Sequence, residues 1–146
     1  MPEPRWRQRF RQYEKALHLL AEALEGGADR LSNLEKEGVI QRFEYTFELA
    51  WKTLNDYLTH AGLTPDTVTP RGVIKEAFAA GILPEGQQWI DMIEHRNLMM
   101  HTYNHEILLE AIDAIQRRYL PQLEQLRQWL NNGTERKSGR TDERRA

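Results

Sequence analysis

A short segment, residues 94–104, concentrates side chains that carry acid–base and anion-binding chemistry. It reads EHRNLMMHTYN, with polar residues on both sides of a Leu-Met-Met run. An imidazole transfers protons near neutral pH, and a guanidinium stabilises charge that develops on phosphoryl oxygens. Arg96 and His101 are therefore a minimum set for metal-independent cleavage of a phosphodiester. The same spacing also fits a helix whose polar residues only satisfy one another.

The angular positions of these residues on a helix limit which of them can cooperate. At about 100° per residue, Arg96 and His101 point about 140° apart. Either the helix distorts near Met100, or two copies of the chain contribute to a shared cleft. Glu94, Asn97 and His101 instead share one stripe at i, i+3 and i+7, so Asn97 can orient His101.

A metal site is the main alternative use of the histidines. His101 and His105 have the i, i+4 spacing that places two imidazoles on one helical face. However, Thr102 follows the first histidine where a zinc protease helix has glutamate, and Asn104 is a helix cap between the pair. Further ligands could come only from Glu94, His95 or Glu106. The sequence thus predicts no metal and no cofactor.

Other site classes have less support. No Gly-rich loop follows a strand, and the chain has no cysteine, so a phosphate-cradling loop and a thiolate nucleophile are both excluded. Phe43, Phe47 and Trp51 could stack on bases, but their helical spacing is more typical of a core.

The elements that position the segment follow from apolar periodicity. Several segments repeat apolar residues at alternating steps of three and four; the clearest stripe is Ile40, Phe43, Phe47, Trp51, Leu54 and Leu58. Thr69-Pro70 and Asn104 are typical helix starts, and Pro121 is expected to kink or break the last helix. No segment alternates with the period of a strand. We expect an all-α antiparallel bundle of about five helices.

Composition sets the boundaries of the domain. The chain has 146 residues, 40% hydrophobic and 29% charged, with a formal net charge of −2. Residues 1–132 should form a single helical bundle, and the charged segment 133–146 a disordered tail. Arginines cluster at both ends, where they could help to hold RNA or only add solubility. Without a signal peptide or a membrane-spanning apolar run, a cytoplasmic location and no membrane contact are expected.

Specific phrases give the chain a family resemblance. RNLMMHTY matches the R-x4-H-x-Y pattern of HEPN domains, in particular the HepT-like toxins that pair with minimal nucleotidyltransferases. Over residues 9–130 the chain is still more similar to the branch of nucleotidyltransferase substrate-binding proteins. The phrases that carry this resemblance are GVIQRFEYTFELAWKTLNDYL, PRGVIKEAFAAGIL, WIDMIEHRNLMMHTYN and RRYLPQLEQL.

The resemblance implies a HEPN-like bundle that forms a homodimer, with the motif facing the dimer cleft. Arg96 and His101 would then be the ribonuclease pair, acting without a metal and supported by Asn97 and Glu94. Tyr103 matches the tyrosine that the partner nucleotidyltransferase modifies with AMP, which inhibits the toxin. The chain has no nucleotidyltransferase motif, so that activity belongs to the cognate partner.

Two further interpretations stay open at this point. The chain could be a non-catalytic substrate-binding subunit of a two-component nucleotidyltransferase, with the same cleft as the pocket. It could also be a structural helical dimer without cleft chemistry. The complete set of Arg96, His101 and Tyr103 favours the ribonuclease of a toxin–antitoxin pair, with RNA as its substrate.

Overall fold

Five helical rods make up the described part of the chain. A computed structural model describes residues 3–101 and 104–145, with side chains for 3–100 and 104–133. The rods are α1 Arg5–Ala23, α2 Asn33–His60, α3 Pro70–Ala79, α4 Gly86–His101, and α5 His105–Ala114, which runs through a π-helical turn, Ile115–Tyr119, into α6 Leu120–Arg145. A short 3-10 turn, Ala28–Arg30, precedes α2. These residues include no strand, which confirms the all-α prediction.

The helix starts use the side chains that the sequence indicates. Thr69 Oγ1 accepts the N–H of the third residue after it, with Pro70 at the first helical position. Asn104 Oδ1 accepts the N–H three residues later at 2.8 Å, so α5 begins directly after it. At α2, Ser32 and Glu35 form a reciprocal capping box. Each cap satisfies backbone donors that have no partner inside the helix.

The last rod does not end at Pro121. The proline has no N–H to donate, and its ring crowds the carbonyl four residues earlier. A π-helical turn, Ile115–Tyr119, ends just before it, and α6 continues through it. The predicted disruption is therefore a local change of helix type, and not an end of the helix.

The charged segment 133–146 was predicted to be a disordered tail. The backbone of α6 is helical as far as Arg145, whereas the side chains after residue 133 lie outside the described part. The segment has no apolar residue before Ala146, so it has almost no apolar surface to bury against the bundle. A disordered tail and a domain limited to residues 1–132 remain predictions.

One continuous apolar core holds the rods together and reaches from Trp6 to Leu130. Every rod contributes to it, and α2 is central because α1, α3 and α5 all pack against it. The predicted stripe of α2 lies in this core, with Phe43 and Phe47 fully buried and Trp51 half-buried. The three aromatic residues are thus packing elements, as their spacing indicated.

Two buried tyrosines place hydroxyl groups inside this core. Tyr13 donates to the carbonyl of Leu123 at 2.5 Å, and burial raises its pKa well above the ordinary value. Tyr119 stacks on Phe43, with ring centres 5.6 Å apart, and its hydroxyl is hydrogen-bonded to His95 Nδ1. Burial raises the pKa of Tyr119 to about 12. Both hydroxyls therefore stay protonated in the folded protein well above neutral pH.

These tyrosines make the fold sensitive to alkaline pH. In the unfolded chain they ionise near pH 10, whereas the folded pKa values are higher, so the unfolded state loses protons first. We expect ionisation of these tyrosines to leave the free energy of unfolding unchanged below pH 10 and to lower it as pH rises through about 12. Urea denaturation at stepped pH measures it. Tyr119→Phe should make the free energy of unfolding fall less steeply with pH, whereas Tyr45→Phe, at an exposed position, should not. Equal pH dependence in the parent protein and both variants would contradict a role for the buried tyrosine.

Candidate functional site

Arg96 lies on the face of α4 that packs toward α2. Its Nη1 donates to Oε2 of Glu48 at 3.1 Å, and the guanidinium carbon is 5.3 Å from the ring centre of Phe47. The side chain is 19% exposed. Its Nε is buried without a hydrogen-bond partner among the described residues. One carboxylate and one aromatic ring thus hold the guanidinium in place, and its hydrogen-bonding capacity is only partly used.

Glu48 is the centre of a small polar network on α2. Besides Arg96, its Oε2 accepts from Trp51 Nε1 at 3.0 Å, and its Oε1 pairs with Lys52 Nζ at 3.1 Å. Burial alone would raise the pKa of Glu48, but hydrogen bonds from Trp51 and Lys52, with the charges of Lys52 and Arg96, lower it below the ordinary value. Glu48 is therefore ionised at neutral pH and presents a fixed negative charge to Arg96.

Glu44 lies one turn before Glu48 and faces the same arginine. Burial raises the pKa of this half-buried carboxyl, and the positive charge of Arg96 offsets part of that increase. The two carboxyls beside Arg96 thus differ in proton affinity. A phosphate that binds Arg96 must compete with Glu48, and it meets less repulsion when Glu44 is protonated.

His95 points into the bundle and not toward Arg96. Its ring packs edge-on against Tyr119, with centres 5.5 Å apart, and Nδ1 is hydrogen-bonded to the tyrosine hydroxyl. Next to this pair, Arg118 forms an ion pair with Asp91 and donates to Gln88 Oε1 at 2.9 Å. His95, a possible metal ligand in the sequence, is thus engaged with the core.

The predicted site residues do not all converge within the described residues. Glu94 and Asn97 are exposed, whereas Arg96 between them faces α2, and their supporting roles stay predictions. The backbone of His101 closes α4, but its side chain lies outside the described residues, as does all of Tyr103. The catalytic pairing of Arg96 with His101 and the modification of Tyr103 therefore stay predictions.

The described residues also bear on metal binding and on membrane insertion. No group of three or more His, Asp or Glu side chains there is placed to hold a metal ion. Among the same residues, no helix combines the length and apolar character that crossing a bilayer requires.

An open groove lies next to Arg96, between the start of α2, the end of α4 and the start of α5. Its volume is about 630 Å³, and its lining includes Ile40, Glu44, Met99 and Ile107. Large apolar side chains are exposed on the same helix ends and on α2; they are Leu34, Tyr45, Leu98 and Met100. Grouped apolar exposure of this kind is typical of a surface that a partner covers.

Sequence reasoning missed Glu48 and Glu44. Both lie in the phrase EYTFELAW, one turn apart on α2. Two acids at i, i+4 inside a buried helix were a usable signal, because buried carboxylates need a cation nearby. Lys52 is one such cation for Glu48, and Arg96, 48 residues later in the chain, is a second that also faces Glu44.

Comparisons with known proteins give this geometry its context. A family model described as "Nucleotidyltransferase substrate binding protein like" matches residues 8–132. The probable ribonuclease HepT of Haemophilus influenzae is 29% identical over 72 residues, which are 47% of this chain and 49% of that protein, so the match spans about half of its length. A crystal structure from Thermus thermophilus is 36% identical, with a TM-score of 0.70, over 78% of this chain and 94% of that chain.

Proposed function

The chain belongs to the HEPN-like family of nucleotidyltransferase substrate-binding proteins, and we propose that it is a metal-independent ribonuclease of the HEPN toxin type. Arg96 binds the scissile phosphate and His101 transfers the proton. The observation that carries the proposal is the Arg96 guanidinium, which Glu48 and Phe47 hold at a partly exposed position on α4. The probable ribonuclease among its relatives supports the reaction class.

The proposed reaction needs no chemical group beyond the side chains of Arg96 and His101 and a second imidazole. Neutral His101 takes the proton of a ribose 2′-hydroxyl, whose oxygen attacks the adjacent phosphorus. The bond from phosphorus to the 5′-oxygen breaks, and that oxygen leaves with a proton from a second, protonated imidazole. Arg96 stabilises the charge on the non-bridging oxygens. The products are a 2′,3′-cyclic phosphate and a 5′-hydroxyl.

A homodimer supplies the second imidazole in this proposal. Arg96 and His101 diverge by about 140° on one helix, so a single copy cannot aim both at one phosphate. The exposed Leu34, Leu98 and Met100 give the second copy an apolar surface beside the site. Pairing through that surface would place two Arg96 and His101 sets on one cleft.

Regulation by a cognate nucleotidyltransferase completes the toxin–antitoxin proposal. AMP attached to Tyr103 would add negative charge and bulk beside a site that must bind the phosphate of RNA, and so inhibit cleavage. The family description implies such a partner. We place this pair in the cytoplasm, without membrane contact.

A non-catalytic substrate-binding subunit of a two-component nucleotidyltransferase is the second candidate. The family description favours it. The ion pair between Arg96 and Glu48 also favours it, because an arginine that a carboxylate already neutralises can have a purely structural role. Stable binding of the partner without RNA cleavage would be its signature.

The first test is cleavage of mixed RNA by the purified chain with a chelator present. Intact mass must first show an unmodified chain, because AMP on Tyr103 would mask activity. We expect cleavage that follows the elution profile of the chain and leaves 2′,3′-cyclic phosphate ends. Absence of cleavage by the unmodified chain across several RNAs would refute the ribonuclease and leave the binding subunit.

A further inference from the structure

A second groove lies between α3 and the first turn of α4, away from Arg96. Its volume is about 690 Å³, and the residues that matter in its lining are Arg71, Lys75, Phe78 and Gly86. Its α3 side belongs to the phrase PRGVIKEAFAAGIL, which carries part of the family resemblance but has no role in the proposed chemistry.

Phe78 is an aromatic side chain that the fold leaves open. It is 53% exposed, although it lies on a short helix with a buried apolar face. A Cβ atom at Gly86 would lie 2.9 Å from its Cδ2 and 3.0 Å from its Cγ, so only glycine lets the ring pack against the backbone there. The backbone thus supports one side of Phe78 and solvent covers the rest.

Two cations precede this ring on α3. Arg71 and Lys75 are exposed and one turn apart, and Phe78 follows three residues later. In the part of the chain that the structure describes, neither cation has an ion pair or a hydrogen bond. The carboxylate in the groove, Glu85, accepts from Gln122 Nε2 at 2.6 Å. That amide does not neutralise Glu85, so the lining of the groove carries two positive charges and one negative charge, a net charge of +1.

An open aromatic ring beside two cations that form no ion pair among the described residues has the chemistry that binds single-stranded nucleic acid. A base stacks on the ring, and the cations contact successive phosphates without reading sequence. An acidic peptide would use the cations but would leave the aromatic ring without a matching planar group. The groove thus favours a nucleotide chain.

The register of α4 connects this groove to the end of the helix. Ile90 lines the groove, and positions 94, 97 and 101 follow it at helical steps on the same stripe. At about 1.5 Å per residue, residue 101 lies about 16 Å from residue 90 along the axis. A strand that leaves the groove along this stripe reaches the proposed catalytic position.

We propose that the groove of Arg71, Lys75 and Phe78 is a single-stranded RNA subsite that leads the substrate strand toward the end of α4. One base stacks on Phe78, and the adjacent phosphates bind Arg71 and Lys75. This inference rests on the proposed function for the identity of the substrate. Binding in this groove and cleavage at Arg96 and His101 are nevertheless separable measurements.

The test measures fluorescence anisotropy with a labelled single-stranded RNA of about 16 nucleotides. It uses the full chain carrying Arg96→Ala, so that the probe stays intact. Phe78→Ala and Phe78→Leu should weaken binding about 5- to 100-fold, whereas Phe78→Trp should retain it. Arg71→Gln with Lys75→Gln should reduce the slope of log affinity against log salt by about 1.4. Lys15→Gln with Arg117→Gln, two exposed cations elsewhere, is the matched control for charge.

Several outcomes would overturn the inference. One is an unchanged affinity for RNA in Phe78→Ala. Another is a reduction of the salt slope in Lys15→Gln with Arg117→Gln that equals the reduction in Arg71→Gln with Lys75→Gln. A third is binding of AMP without binding of RNA. Thermal unfolding of each variant checks that it is folded at the temperature of the binding assay. Parallel cleavage assays on the parent separate the two proposals. Cleavage that is insensitive to Phe78→Ala refutes the subsite alone, whereas Phe78-dependent binding without cleavage refutes the ribonuclease alone.

Discussion

Arg96→Ala and His101→Ala will each lower the rate of RNA cleavage by about 100- to 10,000-fold. Loss of a proton-transferring imidazole has an effect of this size, and so does loss of a donor aimed at charge in the transition state. Arg96 has hydrogen-bonding capacity beyond its contact with Glu48, and the alanine variant loses this contact to the substrate phosphate, so it should also raise KM. Initial rates on a defined RNA, over a range of concentrations, measure both parameters.

Matched substitutions make this result specific. Arg117→Ala removes an exposed arginine that pairs with Asp113, and His105→Ala removes an exposed histidine close to His101; both should keep parental rates. Arg96→Lys keeps the charge but loses the planar fork, so it should recover only part of the activity. Parental rates in Arg96→Ala or His101→Ala would exclude the proposed mechanism.

Trp89→Ala will lower the free energy of unfolding by about 3–5 kcal/mol, the cost expected for emptying a large aromatic site in a core. Trp89 is fully buried, and its ring centre is 6.3 Å from that of Phe47. Phe47 in turn supports the Arg96 guanidinium, so the cavity lies beneath the candidate site. Urea denaturation monitored by circular dichroism measures the change.

Two comparisons separate cavity formation from other effects. The indole Nε1 of Trp89 is buried without a hydrogen-bond partner among the described residues, so Trp89→Phe removes an unsatisfied donor and should cost far less than alanine. Trp129 is only partly buried, so Trp129→Ala should cost less than Trp89→Ala. Equal losses for both alanine variants would show that burial does not explain the effect.

The helices themselves follow from local sequence. The stripe from Ile40 to Leu58 predicts a buried face of α2, and Asn104 marks the start of α5, because periodicity and capping act within a few residues. The order of these signals was enough to predict an all-α bundle, whereas the family resemblance rests on specific phrases of the sequence. The motif residues Arg96, His101 and Tyr103 are also visible at this level.

The partners of those residues depend on how the rods pack. Periodicity places Arg96 on one side of α4, but only the crossing of α4 with α2 brings Glu48 within 3.1 Å of it. His95 reaches Tyr119 for the same reason, across 24 residues of sequence, and leaves the set of possible metal ligands.

The sequence by itself therefore determined the helices, their buried faces and the residue types at the candidate site. Only the tertiary structure decided which charges on different helices compensate one another. Local signals describe one helix at a time, whereas an ion pair between two helices depends on their separation and rotation. That packing compensates Arg96 with Glu48 and leaves Arg71 and Lys75 without an ion pair in the described part of the chain.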